Sequence, residues 1–171
     1  ATGRRNDGQM RPGPRSVLVA ALLAAFLPAQ QRLTAESLAQ RGCTVVLAGR
    51  SAERTQPVLD AIRSAGGEAL FVELNLGELA SVRAGAARIC DLGRPIDILI
   101  NNAGLAGQRG LTKDGFELTF GTNHLGHFLL TVLLAKQLKS AAAARIVNVS
   151  SKSHYDAKGI DFAALQKPTQ S

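Results

Sequence analysis

The sequence contains no tryptophan, a single tyrosine and only 4% aromatic residues. A core built from it must rest on leucine, valine, isoleucine and alanine. Such aliphatic runs suit the central strands of a parallel sheet covered on both faces. No basic stripe is interleaved with aromatics, so a nucleic-acid partner is not expected. Cysteine is equally scarce. Cys43 and Cys90 stand alone, without a Cys or His at metal-ligand spacing, which speaks against a disulfide framework and a zinc motif. Both are expected to be buried, reduced thiols in a cytoplasmic protein, and no bound metal is expected. The apolar run Ser16–Ala29 falls short of the about 20 residues that a bilayer-spanning helix needs, so no membrane span is expected.

Acidic residues are outnumbered, 13 against 20 lysines and arginines, for a net charge of +7. The imbalance is local. Residues 1–32 hold Arg4, Arg5, Arg11, Arg15 and Arg32 against Asp7 alone. With its glycines and prolines, Ala1–Arg15 reads as a disordered, solvated arm. Ser16–Ala29 has three readings: a first strand followed by a distorted loop, the apolar stretch of a secretory signal, or sequence foreign to the fold. Residues 1–31 are therefore set apart as a divergent or disordered segment, and residues 32–171 as a partial dinucleotide-binding domain.

From Arg32 onward, strand and helix patterns alternate. Thr34–Arg41 reads as a helix with Leu38 and Ala39 inward, stopped by Gly42. Cys43–Ala48 reads as a buried strand. Ser51 is a suitable N-cap for a helix to about Ser64 with Val58, Leu59 and Ile62 on one face, although Pro57 predicts a late start or a kink. Ala69–Leu74 reads as a strand, Leu79–Leu92 as a helix, Asp97–Asn101 as a strand. Thr112–Lys139 reads as one long helical region whose Gly115, Gly121 and Gly126 argue for close packing. Ala144–Ser150 is the last strand. Parallel strands need crossovers, and these have helix length, so the expected fold is α/β, a doubly wound parallel sheet of Rossmann type.

Three segments then carry a resemblance. They are Asn101-Asn102-Ala103-Gly104, Asn123-His124-Leu125-Gly126-His127-Phe128, and Arg145-Ile146-Val147-Asn148-Val149-Ser150-Ser151. In this order and spacing they resemble the short-chain dehydrogenase/reductase family, and with Ile160-Asp161-Phe162 and Leu165-Gln166 they resemble its retinol-dehydrogenase-like branch. The resemblance covers about residues 32–166. It implies an NAD(P)-dependent oxidoreductase with a small-molecule substrate, and it allows a homo-oligomer through the long helix. It also implies roles. Asn101, Ala103 and Gly104 form a turn that borders the cofactor. Asn75 stands where the family usually carries an aspartate beside the adenine. Ser151 is the catalytic serine that hydrogen-bonds the substrate oxygen, and Asn123 anchors a water of the proton relay. Arg50 ends the second strand, and no acid stands between Cys43 and Ala52 to hold ribose hydroxyls, which favours NADP over NAD. His124 and His127, three apart on a helix, lack a third ligand and read as packing residues.

Two departures bear on competence. The family's tyrosine is followed by a lysine four residues on, whereas Tyr155 is followed there by Gly159, with Lys158 one place early. Tyr155 also lies too near Ser151 to be that tyrosine. The pair is expected beyond the Ile160–Phe162 stretch, so the fold reads as incomplete at both ends and this chain as inactive alone. The family's glycine-rich phosphate loop is expected near residues 24–31, where Ala24-Ala25-Phe26-Leu27-Pro28-Ala29-Gln30-Gln31 stands without a glycine. The expected function is thus NADP-linked interconversion of hydroxyl and carbonyl on a small lipophilic substrate. The rival is a non-catalytic binding or dimerisation protein derived from the same fold.

Overall fold

The computed structural model describes residues 17–21, 28–156 and 159–168. Five parallel strands form one sheet in the order β3-β2-β1-β4-β5. They are β1 (Val17–Ala21), β2 (Thr44–Gly49), β3 (Glu68–Glu73), β4 (Ile96–Asn101) and β5 (Arg145–Asn148). The chain winds outward from β1 in both directions, which makes the β1/β4 junction the switch point of a doubly wound sheet. The crossovers are α1 (Pro28–Gln40), α2 (Ala52–Ser64) and α3 (Leu79–Cys90), and between β4 and β5 a broken helix described below.

The alternation of strand side chains divides the core in two. Val45 and Leu47 of β2 face Ala35, Ala39, Leu59 and Ile62 of α1 and α2. Val46 and Ala48 face the other way, into a larger cluster with Leu76, Val82, Ile89, Leu99, Leu130 and Leu134. Every residue of β2 is buried, as a strand covered on both faces requires.

Val17–Ala21 settles one reading of the apolar run. It pairs in parallel with β2 on one side, Val19 opposite Val46, and with β4 on the other, Val19 opposite Leu99. Helix α1 begins at Pro28, before the predicted Thr34, with its proline in the first turn where no intrahelical donor is missed. These parts of residues 1–31 therefore belong to the sheet and its first crossover. The stretch predicted to lack a phosphate loop falls partly on residues 22–27, outside the described residues.

Helix α2 starts where Ser51 predicts. The Ser51 hydroxyl accepts from the Arg54 N–H at 3.2 Å, and Pro57 sits inside the helix without delaying it. The long helix is corrected. It begins at Leu118 rather than Thr112, because Thr112–Gly115 is a turn, Gly115 has φ 81°, and the Glu117 carboxylate caps the Phe120 N–H at 2.6 Å. It then runs as α4 (Leu118–Phe120), a π-turn (Gly121–Leu125), α5 (Gly126–Leu133) and α6 (Ala135–Ser140). The predicted close packing is present at Gly121 and Gly126 but not at Gly115, where a Cβ would meet nothing within 4 Å. A Cβ on Gly126 would stand 2.5 Å from the Leu76 carbonyl oxygen, and one on Gly121 would collide with Thr112. The cysteines are also corrected. Both are free, but each is only partly buried, because Cys43 lies at the entry of β2 and Cys90 at the end of α3. Burial still pushes the Cys90 thiol upward in pKa, helped by Asp91.

Candidate functional site

In an open α/β sheet, ligands sit beyond the carboxyl ends of the strands. Two cavities lie there. The first, of about 350 Å³, is lined by Arg50, Asn75, Gly77, Gly104, Leu105 and Thr122 among others. Arg50 follows β2 directly and is exposed. The Asn75 side-chain oxygen accepts from the Gly77 N–H at 3.2 Å, which leaves its amide nitrogen as the group available to a ligand. The wall opposite is a strap, residues 105–117, fastened across α3. The Asp114 carboxylate accepts from the Leu79 N–H at 2.8 Å, supplying the cap that Glu78 does not. The Lys113 N–H donates to the Gly77 carbonyl at 3.2 Å. The Lys113 ammonium pairs with Glu78, which raises the lysine pKa.

The second cavity, of about 400 Å³, is lined by Asn101, Asn123, His124, His127, Phe128, Thr131, Asn148, Val149 and Ser150. Asn101 ends β4 and is buried, and its amide nitrogen donates to the Asn148 side-chain oxygen at 2.7 Å and to the Thr131 hydroxyl at 3.1 Å. It thereby ties β4 to β5 and to α5. The Thr131 hydroxyl donates in turn to the His127 carbonyl at 2.8 Å.

Asn123 lies in the π-turn, and such turns recur at functional sites. Both atoms of its amide engage one residue: the oxygen accepts from the Leu105 N–H at 2.9 Å and the nitrogen donates to the Leu105 carbonyl at 2.8 Å. Its own carbonyl receives the His127 ring nitrogen Nδ1 at 3.0 Å. A Cβ on Gly104 would stand 3.5 Å from the Asn123 side-chain oxygen, an ordinary contact. Asn123 is thus the pin between the turn after β4 and the helix.

The predicted residues therefore divide. Arg50, Asn75 and Gly104 come together at one cavity, and Asn101 and Asn123 at the other, where Ser150, the neighbour of the predicted Ser151, completes the lining. Ala103 is buried between them in sequence, and Ser151 is exposed just past β5. Tyr155 is exposed in a short 3-10 turn, Lys152–Asp156, and Lys158 lies outside the described residues. Sequence reasoning read His127 as a packing residue and did not single out Thr131 or Asn148. His127 is buried, and burial holds its pKa below the ordinary histidine value, against the opposing pull of the Asn123 carbonyl. His124 faces out between Phe120 and Phe128, with ring centroids 5.0 and 6.4 Å away. The signal that could have separated the two histidines is the i,i+4 spacing of His127 to the Asn123 carbonyl and to Thr131. Among the described residues no three His, Cys, Asp or Glu side chains gather to hold a metal ion.

A parallel sheet in the order 3-2-1-4-5, with polar residues and cavities at the strands' carboxyl ends, defines a protein of the dinucleotide-binding α/β class. Comparison with known proteins narrows the class. A family model described as short chain dehydrogenase matches residues 32–160. Human retinol dehydrogenase 13 is 45% identical over 143 residues, which cover 80% of this chain and 42% of that protein. A metagenomic short-chain oxidoreductase solved in complex with NADP superposes with a TM-score of 0.67 at 27% identity, over 80% of this chain and 62% of its own. A short chain dehydrogenase/reductase from Burkholderia phymatum, solved in complex with NAD, does so with a TM-score of 0.63 at 27% identity, over 80% of this chain and 49% of its own. The chain belongs to the short-chain dehydrogenase family. It spans about two-fifths of the length of the curated relatives it matches.

Proposed function

We propose that this chain is the nucleotide-binding part of an NADP-linked oxidoreductase that interconverts a hydroxyl and a carbonyl on a small lipophilic molecule. The observation that carries the cofactor preference is Arg50. It directly follows the strand next to β1, shares a cavity with Asn75 and Gly104, and no acidic residue stands from Cys43 to Ala52. A guanidinium there suits a 2′-phosphate, whereas ribose hydroxyls call for a carboxylate. The lipophilic substrate class is supported by the likeness to a retinol dehydrogenase. The free cysteines support a cytoplasmic setting. Among the described residues no helix is long and apolar enough to cross a membrane.

In this reading Asn101, Ala103 and Gly104 line the path of the dinucleotide, with Gly104 allowing backbone approach. Ser151 polarises the substrate oxygen without becoming a nucleophile. Asn123 acts through position, holding the turn at Leu105 against the helix. A cofactor of this class supplies a hydride donor or acceptor when bound; the chain supplies orientation and hydrogen bonds. Residues 1–171 hold no tyrosine with a lysine four places on, so this polypeptide alone is expected to turn over no carbonyl. Incubation with NADPH and a panel of carbonyl compounds checks this; cofactor oxidation that vanishes in Ser151→Ala would overturn it. The cofactor reading is tested by titrating NADPH and NADH into wild type and Arg50→Ala. Loss of one charge-assisted contact should weaken NADPH about tenfold or more and leave NADH nearly unchanged. Equal affinities in the wild type sink the preference.

A second reading, a non-catalytic dimerisation protein, is favoured by one observation: Phe128 and Val132 on α5 are 63% and 54% exposed. Light scattering on the purified chain decides it, since a monomer removes the support.

A further inference from the structure

The cavity beside β2 and β3, of about 350 Å³, has the size of a small-molecule pocket. Its lining offers three kinds of surface. Leu105, Leu111 and Leu118 give apolar walls. Glu78 and Lys113 pair with each other and bring no net charge. Arg50 is a lining cation with no ion-pair partner among the described residues.

The remaining groups are neutral. The Asn75 amide nitrogen is available, because its oxygen is held by the Gly77 N–H. Thr122 is 3% exposed, yet its hydroxyl has no hydrogen-bond partner among the described residues and opens on the cavity. The two side chains converge. A Cβ on Gly77 would stand 3.3 Å from the Thr122 hydroxyl oxygen and 3.5 Å from the Asn75 side-chain oxygen. The Gln108 amide also lines the cavity without a partner among the described residues, and it can both donate and accept. Apolar walls suit a flat ring. A neutral rim that gives and takes hydrogen bonds suits a purine such as adenine, whose amino group stands beside ring acceptors. Arg50 suits a phosphate.

Gln108 differs from the other two in its support. It rides on the span Ala106–Arg109, whose ends are fixed. Asn123 holds both the N–H and the carbonyl of Leu105. The Gly110 carbonyl accepts from the Leu118 N–H at 3.0 Å. Between these pins the four residues are exposed and make no hydrogen bond among the described residues. A Cβ on Gly107 would meet nothing within 4 Å. Gly107 and Gly110, with φ of 71° and 141°, give the span freedom at two points.

We propose that Ala106–Arg109 is a tip that closes over this cavity when a purine nucleotide enters, and that Gln108 then hydrogen-bonds the base. Closure presupposes the nucleotide-binding reading above. It is separable from the Arg50 preference, because NADPH and NADH carry the same adenine.

The exposed Arg109 makes closure measurable on the folded chain, by trypsin cleavage after it followed by mass spectrometry. Saturating NADPH or NADH should slow that cleavage severalfold. Reduced nicotinamide mononucleotide, which has no adenine, should not. Gln108→Leu changes an exposed side chain and should leave the fold intact. It should weaken NADPH and NADH alike, by about fivefold for one lost hydrogen bond, and restore cleavage after Arg109 even when the variant is saturated. Arg50→Ala, in contrast, should weaken NADPH alone. Cleavage after Arg109 indifferent to bound cofactor, or Gln108→Leu without equal loss for both cofactors, overturns the closing tip and leaves the nucleotide-binding reading standing. A wild-type chain that binds neither cofactor overturns both.

Discussion

The two cavities differ in how they are enclosed. The one beside β2 and β3 is walled by a strap that hydrogen-bonds to two segments: to residues 77–79 through Asp114 to Leu79 and Lys113 to Gly77 and Glu78, and to the broken helix through Leu105 to Asn123. The one beside β4 and β5 has a rigid floor, the Asn101–Asn148–Thr131 bonds, and an open outer side. Every residue of β5 is exposed, including Ile146 at 47% and Val147 at 44%, and β5 pairs only with β4 among the described strands. The lesson is that polar order and burial are not the same thing here. The first cavity has no fully enclosed polar atom without a partner among the described residues and stays partly open; beside the second, two buried acceptors, Asn101 Oδ1 and His127 Nε2, have none.

That contrast can be broken by substitution. The largest effect is expected at Gly126, which seats the broken helix against the chain after β3 and so holds both cavities at their spacing. Gly126→Ala places a methyl 2.5 Å from the Leu76 carbonyl oxygen, with backbone rather than a flexible side chain in the way. Overpacking of this kind costs about 3 kcal/mol, or roughly 10 °C in Tm for a chain of this size. Urea unfolding followed by circular dichroism measures it, and an unchanged midpoint would mean that the helix does not rest on that carbonyl. Next comes Asn101→Ala, which removes the links to Asn148 and Thr131. About 2 kcal/mol should be lost, and hydrogen exchange should rise in β5 before it rises in β2. Uniform loosening of both strands would show that Asn101 is not the tie at the open side.

The two regions were also unequally legible from sequence. The sheet was readable because its strands are aliphatic runs and its crossovers carry local punctuation. Ser51 announced α2, and Gly121 and Gly126 announced close packing, against the Thr112 side chain and the Leu76 backbone respectively. The candidate residues were readable as motifs, yet their division between two cavities was not, since it depends on which strand neighbours which. The broken helix hid for a different reason. Its apolar spacing begins at Phe116, directly after the polar Thr112–Gly115, and only the remote groups that fix the strap, Gly77 and Leu79, show why that stretch turns instead of winding. His127 was invisible as a site residue because a histidine in an apolar helix face usually just packs. Its importance lies in one unmatched nitrogen, and no sequence displays that.

A smaller effect is expected at the strap. Asp114→Ala removes the only side-chain cap that α3 has among the described residues, because Glu78 at the capping position makes none. The expected cost is about 1 kcal/mol, with Asp114→Asn losing less. The change should appear in α3 and the strap by hydrogen exchange and leave β5 untouched. Equal protection loss at both cavities would erase the distinction between them.

The smallest effect is a pH dependence at the open side. Burial, chiefly, lowers the His127 pKa in the folded chain from its ordinary value of 6.5. Below that value the unfolded chain therefore binds a proton that the folded chain resists. By linkage, stability rises with pH wherever the unfolded state holds more protons. The contribution of neutral His127 is thus complete above about pH 6.5 and declines as pH falls below it, a window still above most carboxylate titration. His127→Phe removes the titrating group. Urea midpoints of wild type and variant, measured between about pH 5 and 7, should converge or cross toward acid as the wild type alone loses stability. Parallel lines would mean that His127 meets solvent as freely folded as unfolded, and the enclosure that sets this cavity apart would go with it.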